Sequence, residues 1–192
     1  MKSFCLVPGI SIYGGFIGNE LLRSQRNWTK NLTVLSGEIG DPQLLSDNSY
    51  HVVTGADDTL IDGFIIRDGY AVPDEKETDS SDIPAGVQGK KADMENPDTA
   101  TITQSYSGGG LLNLYAGTFV RNCSFQGNYA VRGGAVCNLA TRYEDHNEVS
   151  NTIGSRTPVF ESCIFEDNHA IIDGEAGPLP YLMARYPLKT QL

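Results

Sequence analysis

Short runs of alternating apolar and polar residues recur along this chain, and no stretch sustains the 3.6-residue period of a long amphipathic helix. Ile10-Ser11-Ile12-Tyr13-Gly14-Gly15-Phe16 and Leu32-Thr33-Val34-Leu35-Ser36-Gly37 read as strands, and residues 49–54 open another. Residues 20–28 have room for one helical turn. Three later segments, 60–71, 119–130 and 159–170, align without gaps. Their columns match in character: Ile61/Val120/Phe160, Phe64/Cys123/Cys163, Ile66/Phe125/Phe165 and the invariant Ala71/Ala130/Ala170. A second repeat runs ahead of them. Gly108-Gly109-Gly110-Leu111-Leu112-Asn113-Leu114 matches Gly133-Gly134-Ala135-Val136-Cys137-Asn138-Leu139, 25 residues later. Twenty-odd residues is the length of one solenoid coil.

Equivalent residues of parallel stacked coils lie one above another at about 4.8 Å, so like side chains form ladders. The pattern therefore predicts an all-β chain folded as a right-handed parallel β-helix of about five coils. Residues 1–71 are expected to form the N-terminal coils and 72–107 an acidic insertion. Residues 108–170 form the C-terminal coils, themselves interrupted at 141–157, and 171–192 an irregular tail or partial cap. Pro178, Pro180 and Pro187 stop regular strands there. The expected ladder consists of Phe64, Ile66, Cys123, Phe125, Asn128, Gly133, Gly134, Cys163, Phe165 and Asn168, with Phe125 and Phe165 in the core. The Gly69/Asn128/Asn168 column suits a bend with unusual dihedrals, where stacked Asn side chains also bond neighbouring coils. The Asp62/Arg121/Glu161 column alternates in sign. At about 0.2–1 kcal/mol per pair it is expected to tune register only.

Composition narrows the function. The 192 residues carry 21 Gly and 9 Pro, which multiplies turns. A net charge of -10 argues against nucleic acid, because phosphate binding needs clustered Lys and Arg. Eight acids against three lysines in 72–107 account for half of that charge and predict a solvated loop. Nothing approaches the run of about 18 apolar residues that spans a bilayer as a helix. Cys5, Cys123, Cys137 and Cys163 lack CxxC or zinc spacing and read as free, buried thiols rather than disulfides. Lys2 is followed by only four largely apolar residues before Pro8-Gly9, too few for a secretory leader.

Phe125-Gln126-Gly127-Asn128 and Phe165-Glu166-Asp167-Asn168 both read FxxN, and Gly133-Gly134-Ala135-Val136 reads GGA plus an aliphatic residue. In order and phase these tetrapeptides resemble the repeats of bacterial polymorphic outer-membrane proteins and related right-handed β-helix proteins. Ile12-Tyr13-Gly14-Gly15-Phe16, Leu35-Ser36-Gly37 and Ser46-Asp47-Asn48-Ser49-Tyr50 are similar to the opening coils of large secreted proteins of that group. The resemblance covers roughly 9–71 and 107–170. It implies a pectin-lyase-like fold, display on or outside a bacterial cell, and a longer parent whose leader and anchor this chain lacks.

Catalytic chemistry of that fold has sparse footing here. A polygalacturonase-like site needs Gly-His-Gly and Arg-x-Lys, and neither occurs; Asp57-Asp58 reads as a turn. A lyase-like calcium site would draw on Asp62, Asp68, Glu161, Glu166 and Asp167, with Arg67 or Arg121 as base. Carboxylates are common on any solvated sheet face, and an acidic surface repels a polyanion. His51, His146 and His169 are scattered, and Gly108-Gly109-Gly110 lacks the residues of a phosphate loop. The sequons at Asn27, Asn31 and Asn122 carry little meaning in a bacterial chain. Trp28, Tyr115, Tyr129 and Tyr143 could stack on sugar rings, although ordinary ladder or loop packing is the favoured reading of them. The expectation is a non-catalytic, surface-exposed segment for adhesion, spacing or carbohydrate contact, without cofactor or metal. The competing one is a lyase or hydrolase acting on acidic polysaccharide.

Overall fold

The computed structural model describes residues 3–72, 105–139 and 157–171. The acidic insertion is outside this set apart from its edges, as are 140–156 and the tail beyond 171.

Fifteen strands of two to four residues carry the described chain. They are β1 (Phe4–Cys5), β2 (Ser11–Tyr13), β3 (Val34–Ser36), β4 (Val53–Thr54), β5 (Leu60–Asp62), β6 (Ile65–Arg67), β7 (Tyr70–Ala71) and β8 (Leu111–Leu114). Then follow β9 (Phe119–Arg121), β10 (Ser124–Gln126), β11 (Tyr129–Ala130), β12 (Val136–Leu139), β13 (Val159–Glu161), β14 (Ile164–Glu166) and β15 (His169–Ala170). The protein is all-β, and every strand pairing among the described residues is parallel.

Four sheets collect these strands in the orders β1-β4-β8-β12, β2-β5-β9-β13, β3-β6-β10-β14 and β7-β11-β15. The chain thus visits the sheets in a fixed rotation, and each strand pairs with one from the circuit before or after it. Four circuits are described, the first lacking a strand in the last sheet, against the expected five or so.

Register follows the sequence columns. Ile66, Phe125 and Phe165 are direct partners, as are Ile61, Val120 and Phe160, and Asp62, Arg121 and Glu161. Phe125 has no solvent exposure, and its ring stacks on Phe165 at 5.1 Å between centroids and 7° between planes. It joins Val52, Val53, Ile61, Ile66 and Leu111 in one continuous core, with Phe64 and Cys123 buried beside it. Phe165 corrects the expected burial: 44% of its surface is exposed, because β14 is the edge strand of its sheet and covers Phe125 on one side only. Cys163 is half-buried and Cys5 exposed, so the four free thiols are not uniformly inside.

The Asn column works by hydrogen bonding and not by backbone conformation. Left-handed residues sit one position earlier, at Asp68, Gly127 and Asp167 (φ 61°, 58° and 51°). Asn128, wholly buried, accepts from the Gly69 N–H at 3.1 Å and donates to the Ile66 carbonyl at 3.0 Å and to Asn168 Oδ1 at 2.9 Å. Asn168 in turn donates to the Phe125 carbonyl at 2.8 Å. Each Asn therefore satisfies backbone groups that the bend strands without partners.

The glycine pair has two separate reasons. Gly133 adopts φ 60°, which a side chain disfavours. At Gly134 a Cβ would run into the backbone carbonyl of His169 on the next circuit.

Candidate functional site

Residues 16–33, between β2 and β3, follow neither repeat and build the most distinctive polar site of the described chain. Gly15 anchors both ends: its N–H donates to Thr33 Oγ1 at 2.9 Å, and its carbonyl accepts from the Asn27 N–H and Asn31 Nδ2. Between them lies the expected single helical turn, a 3-10 turn at Arg23–Gln25. Gln25 Oε1 accepts from the Leu21 and Leu22 N–H groups. The Glu20 carboxylate accepts from the N–H groups of Ile17, Gly18 and Asn19, and the Ile17 bond foremost holds it below the usual carboxylate range.

Arg26 is the centre of the loop. Its Nη2 meets Asp62 Oδ1 at 2.7 Å, while Nη1 donates to the Gly14 and Asp62 carbonyls at 3.0 and 3.2 Å. Asp62 has no exposed side-chain surface and takes three more bonds. Arg121 Nε and Nη2 reach Oδ2 at 3.0 and 2.9 Å, and Asn122 Nδ2 reaches Oδ1 at 2.9 Å. Loss of water pushes the Asp62 carboxyl up. The bonds from Arg26, Asn122 and Arg121, with the Arg26 charge, outweigh that and hold it below the ordinary range. Two members of the column expected to tune register, Asp62 and Arg121, thus join an ionic hub centred on the buried Asp62 carboxylate, while Glu161 stays exposed outside it.

Aromatic planes flank the hub. The Arg26 guanidinium lies 4.7 Å from the Trp28 ring centroid and 5.2 Å from that of Tyr13. Arg23 lies 4.5 Å from the Tyr13 ring and donates through Nη1 to the Tyr13 hydroxyl at 2.8 Å. Cation–π geometry of this kind fixes side chains that would otherwise roam. Leu22, Arg23, Ser24, Arg26 and Trp28 line an open depression of about 410 Å³. Trp28 keeps 37% of its surface exposed there. Among the described residues Arg23 has no carboxylate partner.

The candidate calcium carboxylates do not converge. Asp62 belongs to the hub, and Asp68 pairs with Arg67 at 3.1 Å and accepts from Ser36 Oγ. Glu166 accepts from Gln126 Nε2, and Glu161 and Asp167 are exposed on separate strand ends. No group of three or more His, Cys, Asp or Glu able to hold a metal occurs among the described residues. Asp57 accepts from the Gly117 N–H at 3.0 Å, and Asp58 adopts φ 56° in the turn between β4 and β5.

His51 is largely buried, its Nδ1–H donating to the Gly108 carbonyl at 3.1 Å, and burial pushes its pKa down more than that bond raises it. His169 stacks on Tyr129 at 4.7 Å, and Tyr129 lies 6.0 Å from Tyr70, so both belong to a ring ladder. Tyr115 is exposed at 49%. His146 and Tyr143 lie outside the described residues. Trp28 stood among the sugar-stacking candidates of the sequence; Arg23 and Arg26 were not singled out. Their signal was two arginines within five residues of the single tryptophan of an acidic chain.

Comparison with protein-family models, curated proteins and solved structures finds no match to this chain. No helix among the described residues is long and apolar enough to cross a membrane.

Proposed function

We propose that this chain is a segment of a right-handed parallel β-helix displayed on or outside a bacterial cell, where it makes non-catalytic contact with carbohydrate. The rotation of the chain through in-register parallel sheets supports the architecture, and the FxxN and GGA repeats support the bacterial surface setting.

One observation carries the functional reading: the Tyr13–Arg26–Trp28 stack, held rigid by Asp62, at an open depression. Sugar binding needs a fixed aromatic face for the apolar side of the ring and polar groups for its hydroxyls. Both are present, and neither has to be ordered when ligand arrives.

A glycan array probed with the wild-type chain and with Trp28→Ala tests this reading. Retention on a defined set of glycans, lost in the variant, is the expected result. Retention on none, or retention indifferent to Trp28, overturns it. Turnover of polygalacturonate in the presence of Ca²⁺ would replace contact by catalysis.

A further inference from the structure

We infer that the depression beside Trp28 selects a carboxylate-bearing sugar, with Arg23 taking the carboxylate and the indole taking the ring; this rests on the carbohydrate-contact reading above. The two arginines differ in what they have left to offer. Arg26 is 8% exposed, matched to Asp62, and uses Nη1 and Nη2 on protein oxygens. Its charge is neutralised in place, so it serves as a wall. Arg23 is exposed and spends one donor on the Tyr13 hydroxyl. Its other donors have no protein acceptor among the described residues, and no carboxylate balances its charge. A planar guanidinium fork in that state fits a carboxylate in two-point fashion.

The remaining lining argues for a sugar acid over a bare anion. Trp28 and Leu22 contribute exposed apolar surface, 37% and 64% of each side chain's residue remaining open, at the same depression. A simple anion leaves that surface wet, whereas the C–H face of a uronic acid ring covers it. Ser24, on the same rim, adds a hydroxyl for ring oxygens.

Length is restricted by charge. The whole chain carries -10, so a long polyanion meets net repulsion, which a single contact at Arg23 has to overcome. The occupant is therefore a short acidic oligosaccharide or the acidic end of a longer neutral one.

Trp28 is the single tryptophan, so its fluorescence reports this site alone. Titrations use trigalacturonic acid, its fully methyl-esterified form and sodium acetate, each on the wild-type chain and on Arg23→Gln. The acid is expected to give a saturable change with the ester about tenfold weaker. Acetate gives none in the same range, and Arg23→Gln brings the acid down to the ester's level while its thermal midpoint is unchanged. Equal binding of acid and ester overturns the acid preference and leaves carbohydrate contact standing. Competition by acetate at equal carboxylate concentration makes the site an anion site and overturns the inference. Saturation by neither sugar overturns the acidic-sugar inference, and the glycan array decides the contact reading by itself.

Discussion

Arg26 and Asp62, 36 residues apart, meet at 2.7 Å with 8% and 0% of their side chains exposed. The pair ties a loop that follows no repeat to a strand that does. Removing one partner of a buried ion pair leaves the other without water or counter-charge, which typically costs about 3–5 kcal/mol. Arg26→Ala and Asp62→Ala should each lower the unfolding free energy in urea by that order. A loss under about 1 kcal/mol in both would show that the hub is dispensable.

Phe125 and Phe165 share a column and differ in cover. Phe125→Ala empties a fully enclosed site and should cost about 3–5 kcal/mol. Phe165→Ala removes a ring that is already 44% exposed and should cost about 1–2 kcal/mol. Chemical denaturation of both variants checks the ranking, and equal losses would contradict the exposure difference.

Two groups titrate in separate acid windows. His51 has a folded pKa below the ordinary 6.5, so between those values the unfolded chain binds the extra proton. Stability should fall as pH drops below the ordinary 6.5 toward the depressed folded value, and His51→Asn, which keeps a donor near the Gly108 carbonyl, should flatten that decline. Asp62 acts lower. Its contribution is full above the ordinary 3.8 and is lost as pH falls through its depressed folded value. Calorimetric midpoints across both windows check this, and a His51→Asn curve parallel to wild type throughout the fall from neutral pH would remove the histidine assignment.

Thiol chemistry should sort the cysteines by depth. Burial pushes Cys123 up to about 12 and Cys137 up to about 11, and raises Cys163 as well. Thiolate is the reacting form, so these three should resist a disulfide reagent at mildly alkaline pH while exposed Cys5 reacts at once. More than one fast thiol in the folded chain would place a ladder sulfur at the surface.

The columns were legible because parallel stacking sets like residue on like residue, so the alignment of 60–71, 119–130 and 159–170 coincides with strand register. Exposure of Phe165 was not, since a column does not say which of its members sits at an edge. The Asn positions were visible but their reason was misplaced by one residue: the left-handed turn belongs to Asp68, Gly127 and Asp167, and Asn128 and Asn168 mend the bonds it breaks. Arg26 carried only the signal of its nearness to Trp28, and nothing pointed to Asp62. That partner is 36 residues away, and nothing around Arg26 repeats.

Paired strands in this molecule are separated by very different lengths of chain: Asp62 reaches Arg121 across 59 residues, Asn128 reaches Asn168 across 40, and Asn113 reaches Asn138 across 25. Contour length between levels is therefore a free parameter, since lengthening a connecting segment twofold adds only about 0.6 kcal/mol of closure entropy. Such a scaffold can lengthen or shorten its excursions without shifting the register of the strands they join, the loop that carries Arg26 onto Asp62 excepted.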